Sequence, residues 1–184
     1  GGWRGMLNFP RREIDSMIGE AIDAKQQLLV HAVGDRTIEE VFAAMERSKV
    51  PAGTWPAKRL RIEHGDGMES DLVARARKLG VVVVQNPTHL ADAELFARRW
   101  GTNKQPLRSL LEAGVHVAIG SDGAMNPFLN IMFAVAHPAN PHEALSRTQA
   151  LQAYTLGAAF AEFSEQQKGS ISAGKLADIA VLSQ

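Results

Sequence analysis

Residues 59–85 read RLRIEHGDGMESDLVARARKLGVVVVQ, and this stretch decides the fold class. Leu60 and Ile62 alternate with charged neighbours, the period of a half-buried strand. The segment 69–79, ESDLVARARKL, reads as a helix that Gly80 stops. The run VVVVQ at 81–85 is continuously β-branched, as expected of a parallel strand covered on both faces. Strand, helix and strand in this order form a βαβ unit with a right-handed crossover.

The pattern continues in both directions. Ile14, Met17, Ile18, Ala21 and Ile22 recur at helical spacing within 11–27. LLVH at 28–31 reads as a short buried strand. Asp35 or Thr37 can cap the next helix, and Thr37 with Glu40 fits a capping box ahead of the stripe Ile38, Val41, Phe42 and Met45. Residues 50–58 form a loop with two prolines. Beyond strand 81–85 come a loop NPTHLADA, a helix around 91–99, a helix over 105–113 stopped by Gly114, and a fourth strand VHVAI at 115–119. Residues 129–136 and 141–163 read as helical. The tail KGSISAGKLADIAVLSQ carries turn signals at Gly169 and Gly174 and two short strands. Two architectures fit this alternation: an open doubly wound sheet, or part of a (β/α)8 barrel. A whole barrel needs about 250 residues, so four units amount to half of one.

Composition narrows the function. Lys+Arg and Asp+Glu both total 20 among 184 residues, so no basic excess points to nucleic acid or an anionic membrane. No apolar run approaches the roughly 20 residues that span a bilayer, and the start GGWRGMLNFPRR lacks the apolar core of a signal peptide. There is no cysteine, which fits a reducing, cytoplasmic setting and leaves histidine and carboxylate as the available metal ligands. No H-E-x-x-H, G-x-S-x-G, P-loop or G-x-G-x-x-G motif occurs, which removes zincin, serine-hydrolase, P-loop and dinucleotide functions.

In parallel α/β sheets ligands sit beyond the carboxyl ends of the strands. His31, His64, Gln85 and Asp122 all fall at or near such ends, so four strands send polar groups to one face. Imidazole and carboxylate are the ligands a divalent ion such as Zn²⁺ accepts when thiols are lacking. Singly, each has a plainer use, as a loop histidine or, for Asp122 in GSDG, a turn or helix cap. Asp35 and Asp66 follow the two histidines and read as caps or as partners that orient an imidazole N–H. His89, in the loop after strand 81–85, and Gln85 are candidate substrate contacts. His116 sits inside a strand and reads as structural; His137 and His142 receive no role.

LLVHAVGDRTIEEVFAAME, RLRIEHGDGM, VVVVQNPTHL, GVHVAIGSDGAMNPFLNIMFAV and KGSISAGKLADIAVLS occur in that order. Together they resemble the C-terminal half of a metal-dependent amidohydrolase of the family 3 group, from about Gly2 to the last residue. The resemblance implies strands 5–8 of a (β/α)8 barrel over 1–165 and the remnant of a small β-sandwich over 166–184. It implies His31, His64 and Asp122 as metal ligands, with His64 and Asp122 also catalytic and Asp122 the general base. It implies one or two divalent ions, zinc foremost, and hydrolysis of a non-peptide C–N bond in a small amide, formamide or cyclic amide. The family's His-x-His pair on the first barrel strand does not occur in these 184 residues. A second reading is therefore a catalytically silent fragment or interaction module, and a third is a self-standing doubly wound domain without metal. A half barrel exposes strands 28–31 and 115–119 at its edges, which a homodimer would cover.

Overall fold

The computed structural model describes residues 6–92, 94, 95, 98 and 105–183. The GGWRG start lies outside them, and so do residues 93, 96, 97 and 99 of the helix expected around 91–99. The sheet has the order β1-β2-β3-β4, all parallel: β1 is Leu29–Ala32, β2 Arg61–His64, β3 Val82–Gln85 and β4 His116–Ile119. The helices that precede or connect them are α1 (Arg11–Asp23), α2 (Asp35–Arg47), a single turn α3 (Trp55–Lys58), α4 (Ser70–Leu79) and α5 (Leu107–Glu112). After β4 come α6 (Pro127–Ala136), α7 (Arg147–Gln152), a π-helical turn (Ala153–Gly157) and α8 (Ala158–Ala161).

Alternation along each strand divides the sheet into two faces. Ile62, Val83, Val117 and Ile119 face the helical layer, where they bury with Ile38, Phe42, Leu72, Leu107 and Leu110. Val82, Val84 and Ala118 face the other way and are covered by Phe160 and Ala161. The rest of that concave face is polar: Arg61 Nε donates to Glu63 Oε1 at 2.8 Å on β2, and His31 on β1 is exposed.

Several expectations change in detail. α2 has Gly34 at its N-cap without a side-chain cap bond, so Thr37 falls inside the first turn and cannot form a capping box with Glu40; Arg11 holds Glu40 through two bonds, at 2.9 and 2.5 Å. The helix expected over 141–163 is broken. A 3-10 turn at Pro141–Glu143 precedes α7, which has its own capping box between Ser146 and Gln149, and the π turn follows. The π turn sets Gly157 so closely on β4 that a Cβ there would collide with the Val117 carbonyl oxygen. The C-terminal segment thus covers the β4 edge that was expected to be open, and β1, the other end strand, has no strand beside it among the described residues. The two strands expected in the tail are not formed among described residues 171–183, which are a turn and chain without regular secondary structure.

Arg59, in a left-handed conformation at the end of α3, locks this C-terminal segment to the amino end of the sheet. Its guanidinium donates to the Phe160 carbonyl (2.7 Å) and to both Glu165 oxygens (2.9 and 2.6 Å), and lies over the Phe160 ring at 3.6 Å. Gln27 Nε2 adds bonds to the carbonyls of Arg59 and Ala161. The hydrogen bond from Arg59 lowers the Glu165 carboxyl from an ordinary 4.5 to about 2. A carboxyl depressed on folding stabilises the fold above its unfolded pKa and loses that contribution as pH falls toward the folded one. Glu165→Gln should therefore lower the urea midpoint by a constant amount above about pH 5, and the gap to the parent should close between 4.5 and about 2. Urea titrations across that range check it.

Candidate metal centre

The carboxyl ends of the strands bring together residues far apart in sequence. Ala32 pairs with His64 across β1 and β2, and Gln85 with Ile119 across β3 and β4, so the loops that follow all leave at one level. By strict alternation His64 would point with Ile62 into the helical layer. It does not, because His64 has φ +74° and Gly65 has φ +69°. A left-handed backbone at a non-glycine residue costs of order 1–3 kcal/mol, and here it swings the imidazole to the end of the sheet. Gly65 suits its place on two counts: its φ, and a Cβ that would meet Val83 Cγ1 at 2.9 Å. Gln85, with no exposed surface, holds the bend from below by donating Nε2–H to the His64 carbonyl at 2.6 Å.

Around His64 the other groups converge. The His31 ring meets it edge-on with centroids 4.5 Å apart, and the His89 ring stacks on it at 5.7 Å. Asp122, itself left-handed at φ +41°, places Oδ2 3.6 Å from His64 Nε2 and 3.6 Å from His89 Nε2. His89 Nε2 also lies 3.2 Å from the Asp122 carbonyl. Asp66 is buried beside them, and ligand atoms of His64, Asp66 and His89 all lie within 4.8 Å of one another. Its carbonyl also accepts the Gly34 amide at 2.7 Å, which ties the loops after β1 and β2 together. Asp35 stands in the first turn of α2, where its Oδ1 accepts the Arg36 amide at 2.7 Å.

Burial, then the neighbouring His31, push the His64 imidazole below its ordinary 6.5, Asp122 pulling the other way. Its neutral form, the one a cation requires, thus persists to lower pH. The spacing fits the same use. Ligand atoms of His64, Asp66 and His89 lie within 4.8 Å of one another, and Asp122 Oδ2 stands 3.6 Å from both histidines, too long for hydrogen bonds. Donor chemistry, protonation and spacing all suit a divalent ion.

Of the residues singled out in the sequence, His31, His64, Asp66, His89 and Asp122 gather at one point. Gln85 lies beneath it. His116, expected to be structural, stacks on Phe160 at 4.0 Å, at the amino end of β4. His137 is fully buried; its Nδ1 accepts the Asn140 amide and its Nε2 donates to the Gln105 carbonyl at 2.8 Å. Sequence reading missed Asn130, whose signal was its place as the one polar residue in PFLNIMFAVA.

A parallel α/β half barrel with a histidine–carboxylate cluster at its carboxyl face defines the class of protein. The chain belongs to the amidohydrolase family, whose sequence model matches residues 4–184. Protein LONG AFTER FAR-RED 3 of Arabidopsis thaliana is 34% identical over 85% of this chain and 30% of its own length. The N-substituted formamide deformylase of Arthrobacter pascens is 31% identical over 95% of the chain and 34% of its own. The chain thus spans about a third of these curated relatives. Among solved structures, an uncharacterized metal-dependent hydrolase from Pyrococcus furiosus superposes with a TM-score of 0.82 at 24% identity, over 95% of this chain and 37% of that one. A zinc-bound adenosine deaminase from Xanthomonas campestris gives 0.63 at 22%, over 92% and 40%. These likenesses establish the fold, a partial (β/α)8 barrel. No helix among the described residues is long and apolar enough to cross a membrane.

Gln85→Met, close in volume, leaves the buried His64 carbonyl without its donor. It should cost about 1–3 kcal/mol, read as a lower urea midpoint with unchanged slope.

Proposed function

We propose that this chain carries the carboxyl-half site of a divalent-metal-dependent hydrolase that cleaves non-peptide C–N bonds in small amides or formamides. The observation that carries this is the Asp122 carboxylate placed 3.6 Å from both His64 and His89. Family membership and the formamide deformylase relative support the substrate class. His64, Asp66 and His89 would hold the ion, with His31 and Asp122 beside it, and zinc is the metal the ligand set suits best. A bound divalent ion lowers the pKa of water and polarises a carbonyl. Asp122, with its side chain 59% exposed at the rim, accepts the proton of the water that adds to the substrate carbonyl. As the C–N bond breaks, it returns that proton to the leaving nitrogen. Gln85 acts from beneath by holding the His64 bend. In this reading residues 1–165 are the half barrel and 166–184 the start of a β-sandwich, with Ile179 and Val181 exposed for other strands; the setting is cytoplasmic.

Elemental analysis of the purified chain, supplemented with zinc, should find about one ion per chain, and His64→Ala should lose it. Asp122→Asn should slow formate release from an N-substituted formamide by about 100- to 10,000-fold. A parent chain that takes up no zinc, cobalt or manganese would overturn this reading. It would favour the alternative, a catalytically silent module.

The bare β1 edge suits pairing with a second copy. Light scattering behind a sizing column should then give twice the single-chain mass of 19.9 kDa, and a monodisperse monomer would exclude the dimer.

A further inference from the structure

We infer that Asn130 is a positioning residue that sets His89 against Asp122, a role that rests on the metal reading of the site only for its functional consequence. Asn130 lies on α6 with no exposed surface, among apolar neighbours. An amide in such a place is costly unless both its ends are bonded, and here both ends go to the site loops. Its Oδ1 accepts the amide N–H of Thr88 at 3.2 Å, and its Nδ2 donates to Ser121 Oγ at 3.2 Å. Thr88 immediately precedes His89, and Ser121 immediately precedes Asp122. The same two residues are joined directly, Thr88 Oγ1 donating to the Ser121 carbonyl at 3.1 Å. One side chain therefore spans the loops after β3 and β4 at the residues adjoining the two groups that meet above it, where His89 Nε2 lies 3.2 Å from the Asp122 carbonyl.

The start of α6 is itself well fixed. Asn126 caps it through Oδ1 to the amides of Phe128 and Leu129 at 3.0 and 3.3 Å, so Asn130 sits one turn into an anchored helix. From the opposite side Gln105 Nε2 donates to the Asn86 carbonyl at 3.0 Å and holds the start of the His89 loop. Asn130, together with the direct Thr88–Ser121 bond, sets the spacing of His89 from Asp122.

The test compares Asn130→Ala with Ala134→Gly, a fully buried control on the same helix whose carbonyl bonds the Leu145 amide. Zinc affinity is read by calorimetry, stability by Tm, and the His89 ring nitrogens by ¹⁵N NMR in the metal-free chain. Asn130→Ala should weaken zinc binding about 10- to 100-fold and shift the His89 Nε2 resonance. Ala134→Gly should do neither at a comparable loss of Tm. Asn130→Asp keeps the acceptor for Thr88, leaves Ser121 free to donate, and should restore the His89 resonance. An Asn130→Ala chain whose His89 resonance and zinc affinity match the control overturns the inference. If the parent binds no zinc, the metal reading fails, and the His89 resonance alone then decides for or against Asn130.

Discussion

The register of four parallel strands is the constraint on which the site depends. Parallel pairing with short right-handed crossovers makes every strand end on the same side of the sheet. The observed pairs, from Leu29 opposite Arg61 to Gln85 opposite Ile119, bring those ends level. A slip of one residue in any strand would turn its side chains to the other face. It would send Val83 or Val117 out of the helical layer and move His64 or Asp122 away from its partners. The same apolar burial that stabilises the sheet therefore fixes where the polar groups arrive.

Strand geometry alone does not complete the cluster. Alternation would have buried His64 with Ile62, and only the left-handed turn at His64 and Gly65 brings its ring to His31, His89 and Asp122. That turn is braced by side-chain amides rather than by more strand. Gln85 bonds the His64 carbonyl, Gln105 the Asn86 carbonyl, and Asn130 the loops on either side. Buried amides beneath the histidines and carboxylates allow a polar site to keep its shape without an apolar core of its own.

The fold was largely legible in the sequence, because the valine run 81–84 and the alternation in 59–64 can hardly be satisfied outside a covered parallel sheet. His64 and Asp122 were legible as strand-end groups for the same reason. Less legible were features set by tertiary contact. The apolar periodicity of 141–163 suggested one helix, yet the approach of Gly157 to β4 is met by a π turn. The Thr37–Glu40 capping box was a sound local pattern, but the helix begins earlier, at Asp35, and Thr37 falls inside its first turn. Asp66 and His89 were visible as residues while their meeting at His64 was not, since it depends on a backbone conformation that residue type does not announce. The alternating tail had the pattern of strands without a sheet for them to join.

The unequal covering of the two sheet edges has a consequence for association. Open-ended growth of stacked sheets requires a free edge on each side, one to receive and one to be received. Here the C-terminal segment sits on the Val117 carbonyl, and Arg59 with Glu165 keeps that segment in place. Among the described residues only β1 offers such an edge, and a sheet with one free edge can accept one neighbour through it but cannot pass pairing on. The clamp at Arg59 thus keeps the β4 edge occupied, and an occupied edge offers no free backbone groups for a further strand to pair with.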